Sequence, residues 1–273
     1  MAHPKVRAAG KDRVLNVRHD APDIRDRYYE PALIPLAREL DHSKPETVLD
    51  QGQEGACTGF GLAAVINHLK YHRDEPDMVS ARMLYEMAQK HDEWPGEDYS
   101  GSSCRGAIKG WKNMGVCGDE IWPYDTNNPG TLTITKVQDA QATILGAYYR
   151  LRANLNDYHA ALNETGAIYV SATVHNGWNN PQKESDEKHA IINQSTEMIG
   201  GHAFAIVGYN EFGFIVQNSW GNNWGTEGYA IWTYEDWYTN ISDGWVFRLA
   251  VSTPKVFGLT TRSTYTDQSK FGG

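Results

Sequence analysis

Apolar residues change their spacing once along this chain. Between Gln51 and about Asn113 they recur at helical intervals, with Met83, Leu84 and Met87 on one stripe and Ala107, Ile108 and Trp111 on another. Gly115-Val116-Cys117-Gly118-Asp119-Glu120 then closes the helical half. From about Ala167 to Trp245 the pattern predicts short strands at 168–171, 203–209, 214–216 and 229–232. Helices first and strands later, within 273 residues, predict an α+β fold with a helical left lobe, a β-rich right lobe and a cleft between them.

Three short islands carry the chemistry. Asp50-Gln51-Gly52-Gln53-Glu54-Gly55-Ala56-Cys57-Thr58-Gly59-Phe60 reads as a glycine-rich turn feeding a buried helix, with Cys57 in its first turn. Gly201-His202-Ala203-Phe204 opens a buried strand, and Gln217-Asn218-Ser219-Trp220-Gly221 follows another. A thiol nucleophile needs an imidazole to deprotonate it, and the imidazole needs an acceptor on its second nitrogen. Cys57, His202 and Asn218 are the candidates, and they come from opposite lobes. The positive end of a helix and a neighbouring imidazolium both favour thiolate over thiol, so an ion pair poised near neutral pH is expected. The Gln51 amide, across the turn, can meet the Cys57 backbone N–H around one developing oxyanion.

These islands, together with Trp220-Gly221-Asn222-Asn223-Trp224-Gly225, resemble the papain-like cysteine peptidases over roughly residues 35 to 250. The resemblance implies a two-lobed fold whose right lobe is barrel-like, with residues 31–253 as the peptidase domain. It implies catalysis by Cys57, His202 and Asn218, with Gln51 as oxyanion donor and Trp220 covering the Asn–His hydrogen bond. Gly101, Ser102 and Cys104 fall where family members line the non-primed wall of the cleft, and Ser171 and Ala203 join Cys104 in the neighbouring pocket. The reaction implied is hydrolysis of protein or peptide substrates through a thioester acyl-enzyme. An acyl transferase or peptide ligase would use the same residues, and a regulatory binding module would carry them silent.

Several features depart from the family. Glu54 stands where many members have a cysteine bridged beside the site, Thr58 where they have a tryptophan, and Gly201 where plant members often have an aspartate. Cys57, Cys104 and Cys117 are an odd number with no evident bridge, which suits a reducing compartment. The first residues lack an apolar run long enough for a signal peptide or a membrane span, so a cytoplasmic protein is expected, with signal-independent export an alternative. A net charge of −9 argues against nucleic-acid binding.

Residues 1–30 form an N-terminal extension. By resemblance, the aromatic-bearing stretch within Asp20–Tyr29 is expected to lie in the cleft and block it. Residues 254–273 read as a flexible tail or linker. The acidic run Asp92, Glu93, Glu97 and Asp98 reads as a solvated loop. His175 and His189 flank the polar insertion 176–188, read as a loop over the leaving-group side, and show no tight ligand spacing. No metal or other cofactor is expected.

Overall fold

The computed structural model describes residues 5–93 and 101–250. In chain order these form strands β1 (Lys5–Ala8), β2 (Lys11–Val14) and β3 (Leu40–Asp41), then helices α1 (Cys57–Tyr71), α2 (Ala81–His91), α3 (Cys104–Met114) and α4 (Ile134–Ala140). There follow β4 (Leu145–Arg150), α5 (Leu155–Thr165), β5 (Ile168–His175), β6 (Ala190–Ile191), β7 (Met198–Tyr209), β8 (Gly213–Gln217), β9 (Tyr229–Thr233), α6 (Tyr234–Asn240) and β10 (Ile241–Leu249). The predicted order of helical and strand halves holds. The barrel-like lobe takes the form of an open sheet in the order β4-β10-β5-β7-β8-β9-β6, with β3 added against β7.

Helices α2 and α3 start where their sequences supply caps. The Ser80 hydroxyl accepts from the Met83 N–H, and the Ser103 hydroxyl from the Gly106 N–H. Gly115, at φ +72°, ends α3 in a backbone conformation that side-chain-bearing residues avoid. Helix α1 is different. It begins after Ala56, which has no side chain to cap it, so its first-turn N–H groups are left for other acceptors.

The sheet separates two cores by side-chain alternation. Ala203, Ala205 and Val207 of β7 face the helical lobe together with Tyr169 of β5. Phe204 and Ile206 face the other way, with Ile168, Val170 and Val174, into a cluster with Trp178, Trp224, Trp232 and Trp237. Helix α1 crosses β7 at Gly61, where a Cβ would lie 2.9 Å from the Phe204 nitrogen. On its other side Gly59 meets α2, where a Cβ would lie 2.6 Å from the Tyr85 nitrogen and 2.7 Å from the Ala81 oxygen. Both close neighbours are backbone, which cannot swing aside. Gly59→Ala is therefore expected to lower stability by about 1–3 kcal/mol, despite the better helix propensity of alanine. A urea midpoint that falls at unchanged m-value would show it.

Candidate active site

Cys57 is the first residue of α1, fully buried. Its sulfur lies against backbone N–H groups: its own, that of Thr58 and that of Ala203, the neighbour of His202. The uncapped helix start and β7 thus converge on one atom. Burial outweighs these donors and pushes the thiol up to about 11.

His202 is also fully buried, and its Nε2 lies 2.8 Å from Asn218 Oδ1. That oxygen also accepts the Ser219 backbone N–H at 2.8 Å, which identifies it as the carbonyl oxygen of the amide. A carbonyl oxygen only accepts, so Nε2 donates and the Nδ1 of neutral His202 carries the lone pair. Nδ1 has no hydrogen-bond partner. The Trp220 ring covers the pair, with its centroid 5.0 Å from that of His202, and Trp220 is 2% exposed. Burial lowers His202 to about 4, the Asn218 bond opposing it and the Arg13 charge assisting. Burial thus works against the charged form of both partners of the ion pair expected near neutral pH. The cause is exclusion of water from both groups.

Gln51 is buried, and its Oε1 accepts from the Ser219 hydroxyl at 2.7 Å. Its Nε2 donates to the Glu54 carbonyl at 2.9 Å, which uses one of two amide hydrogens. Glu54, in the place of a bridged cysteine, binds Arg82 at 2.7 Å and the Tyr124 hydroxyl at 2.6 Å. An ion pair between the buried Arg82 and the half-buried Glu54 thus fastens the turn to α2. All three cysteines are free.

The N-terminal segment packs beside Trp220 and Gly201, the neighbour of His202. Arg13, fully buried, donates to Asp50 Oδ1 at 2.9 Å and to the Trp220 carbonyl at 3.2 Å. Its guanidinium sits 5.3 Å from the Trp220 ring centroid. The chain then runs parallel to both walls of the cleft. The Gly201 N–H donates to the Leu15 carbonyl and the Val17 N–H to the Gly201 carbonyl, both at 3.2 Å. The Arg18 N–H reaches the Ser102 carbonyl at 3.2 Å. Glycine is required where the strap crosses, since a Cβ on Gly201 would lie 2.3 Å from the Val17 oxygen and one on Gly101 2.7 Å from the Asn16 oxygen. The stretch that pairs with both walls is thus Leu15–Arg18, earlier than the Asp20–Tyr29 stretch expected to block the cleft. Of the expected stretch, Asp20 docks beside Asp243, Asp26 accepts from Arg105 at 2.8 Å and Arg150 at 2.9 Å, and the Tyr29 hydroxyl donates to Glu164 on the body at 2.8 Å.

Gly101, Ser102, Cys104, Ser171 and Ala203 are all buried along this path. Cys104 is the first residue of α3. Register across three strands aligns Asp243, Ser171 and Ala203, and the Ser171 hydroxyl donates to Asp243 Oδ2 at 2.8 Å. Asp20 docks here. Its backbone N–H bonds Asp243 Oδ2, and its carboxylate accepts from the Arg105 N–H and from Trp245 Nε1, both at 2.9 Å. Arg150 donates to Asp243 Oδ1 at 2.8 Å. Burial, then the Asp243 charge, hold Asp20 well above the ordinary carboxylate range, against the lowering effects of Arg105 and Trp245. Sequence reasoning missed Asp243, Asp20 and Arg13, because no short-range pattern marks a charged residue that will be buried by a distant segment.

His175 and His189 do not share a site. His175 bonds Asp236 at 2.8 Å and His189 bonds Asp41 at 3.0 Å. Of the acidic run, Glu93 pairs with Lys109 at 3.4 Å, and Glu97 and Asp98 lie outside the described residues, as does the tail 254–273. Within the insertion 176–188, Trp178 is fully buried and accepts the Trp224 indole N–H at 2.6 Å through its carbonyl.

The family model described as papain family cysteine protease matches residues 36–244. An uncharacterised peptidase C1-like protein of Acanthamoeba polyphaga mimivirus is 28% identical over 68% of this chain and 64% of its own length. Vignain of Vigna mungo is 26% identical over 67% of this chain and 49% of its own. The chain thus spans about half to two-thirds of these curated relatives. Among solved structures, xylellain, a cysteine protease from Xylella fastidiosa, superposes with a TM-score of 0.77 at 25% identity, covering 92% of this chain and 100% of that one. A procathepsin B from Trypanosoma congolense gives 0.71 at 15% identity, over 88% and 87% of the two chains.

The raised Asp20 value gives strap closure a pH dependence. A carboxyl that is harder to ionise in the closed state favours closure while protonated, and this contribution is lost as pH rises from about 4 toward the raised value. Alkylation of Cys57 should therefore climb more steeply between pH 5 and 8 in the wild-type chain than in Asp20→Asn. Both share the intrinsic ionisation of the thiol, so the ratio of the two profiles isolates Asp20. Superimposable profiles would remove Asp20 from the clamp.

Proposed function

Because the chain belongs to the papain family of cysteine proteases, we propose that it hydrolyses peptide bonds with Cys57 as nucleophile, and that Leu15–Arg18 hold this activity in check. The observation that carries the reading is the His202–Asn218 bond under Trp220, beside a thiol at an uncapped helix start. With the strap withdrawn, water and substrate reach the site and the burial that disfavours both charged forms is relieved. The Cys57 thiolate then attacks the carbonyl carbon, and the negative charge on its oxygen is met by the Cys57 N–H and the free hydrogen of the Gln51 amide. Protonated His202 delivers its proton to the leaving amine, and the thioester is cleared by a water that His202 deprotonates.

Gly101 and Ser102 offer the backbone that now pairs with the strap to an extended peptide, with Cys104, Ser171 and Ala203 around the adjoining pocket. The solved relatives named as a procathepsin L, a procathepsin B and a bromelain precursor are likewise proenzymes by name, which supports reading the N-terminal segment as an occupant of the cleft.

The test is turnover of a denatured protein substrate. Arg13→Ala/Asp20→Ala, which loosens both ends of the strap, should cleave faster than the wild-type chain. Adding Cys57→Ala to that double variant should reduce turnover by on the order of a thousandfold or more, with folding intact. Undiminished cleavage with Cys57→Ala would refute the mechanism, and equal rates with and without the loosened strap would refute the restraint.

A further inference from the structure

The far end of α1, remote from Cys57, carries a second cluster. His68 and His72 stand four residues apart on one face of the helix, with their Nε2 atoms 2.9 Å apart. His42 joins them from the segment after β3, where its backbone N–H is fixed to the Val207 carbonyl at 3.1 Å. The ring centroids lie 4.6 to 5.4 Å apart, and one ligand nitrogen from each ring falls within 4.8 Å of the others. Among the described residues this is the one such convergence of His, Cys and carboxylate groups.

We propose that His42, His68 and His72 form a binding site for a divalent transition metal, Zn²⁺ with three imidazoles and a water, that ties the helix beginning at Cys57 to the strand carrying His202. Tetrahedral zinc with Zn–N distances of about 2.1 Å sets its nitrogens about 3.4 Å apart. The His68–His72 pair opens by about half an ångström to meet that spacing, and His42 closes on the ion from the opposite side. Gly166 makes room, since a Cβ there would lie 2.5 Å from His68 Nε2 and 3.2 Å from His72 Nε2. A cavity of about 350 Å³ beside the cluster, lined in part by His42, His72, Asn163 and Glu164, leaves a coordination position open to water. Glu164 is not the fourth ligand, because its carboxylate already holds the Tyr29 hydroxyl and the Ala32 N–H.

Burial works against the charged form of two of the three imidazoles, His68 and His42. Burial, and then the neighbouring imidazoles, lower His68 to about 3, and burial and His72 lower His42, with Lys44 acting in the same direction on both. Asp41, beside His42, acts against Lys44 on that residue. Imidazole sets of this kind suit zinc, copper or nickel, and the open tetrahedral position suits zinc. The ion would act structurally, since His42 is fixed to β7, His68 lies in the last turn of α1 and His72 caps its end, and Cys57 and His202 lie on those same two elements.

The probe is Zn²⁺ itself, added to the full chain carrying Cys57→Ser so that the thiol of the candidate active site cannot take the ion. One zinc per chain by calorimetry and a Tm rise of roughly 5–10 °C at a hundredfold excess over Kd are expected. Both should vanish in His72→Gln, an exposed position, and in His42→Gln. Zinc should also protect His42 and His72 from diethyl pyrocarbonate, mapped by mass spectrometry on the unmutated cluster, so the result does not depend on how a variant folds. No Tm shift with no protection would overturn the proposal. So would a shift that persists in both glutamine variants, because the ion would then sit elsewhere.

Discussion

The contact of α1 with β7 is the constraint on which the rest depends. Gly61 lets the helix come within van der Waals reach of the Phe204 backbone, and this fixes Cys57 against the N–H of Ala203. Moving the helix away by one methyl group would separate the sulfur from β7. The same helix carries its own polarity to the site, because Ala56 leaves the first-turn N–H groups uncapped, while Ser80 and Ser103 cap α2 and α3. A cap on α1 would add about 1 kcal/mol of helix stability and would compete for the donors that meet the sulfur. Stability is given up at one helix start and secured at the two beside it.

Covering that site changes its chemistry as well as its access. In water, a thiol and an imidazole close together share a proton readily. Here both are buried, which disfavours their charged forms. In the proposed restraint the strap would act twice, by excluding substrate and by removing the solvent that stabilises the ion pair. Its hold rests on two buried charges of opposite sign. Arg13 is matched by Asp50 and the carbonyls of Gly52 and Trp220. Asp20 is crowded by Asp243 and only partly relieved by Arg105 and Trp245. The Asp20 end is thus the one at which burial and a like charge disfavour ionisation.

Much of this was legible in the residues. Cys57, Gln51, His202 and Asn218 announce themselves because each needs a particular local setting: a glycine turn, a buried strand start, a turn before Ser-Trp-Gly. The helices at 81–91 and 104–114 follow from their apolar stripes and serine caps, and strands β5, β7, β8 and β9 follow from β-branched and aromatic blocks. What escaped depends on distance in sequence. Strands β1 and β2 are short and charged, and are defined by pairing with each other and by docking of Arg13 on Asp50 and Trp220. Strand β10 begins with Ile-Ser-Asp-Gly, which reads as a turn until β4 and β5 pair with it on both sides. Asp243 is polar and buried because two arginine-bearing segments and Asp20 reach it from elsewhere in the chain. The imidazole cluster escaped too, since His42 and the pair His68–His72 become neighbours only when β3 pairs with β7 beside α1.

The measurement closest to the central claim is the rate at which an epoxide that targets active-site thiolates modifies Cys57, followed by intact mass at neutral pH on the wild-type chain and on a chain nicked by brief proteolysis between β2 and β3. A covered, neutral thiol predicts slow labelling of the intact chain and rapid labelling at the single residue Cys57 once the strap is released. Equal, rapid labelling of both forms would contradict the account, for it would mean that Leu15–Arg18 neither shield the thiol nor hold it protonated.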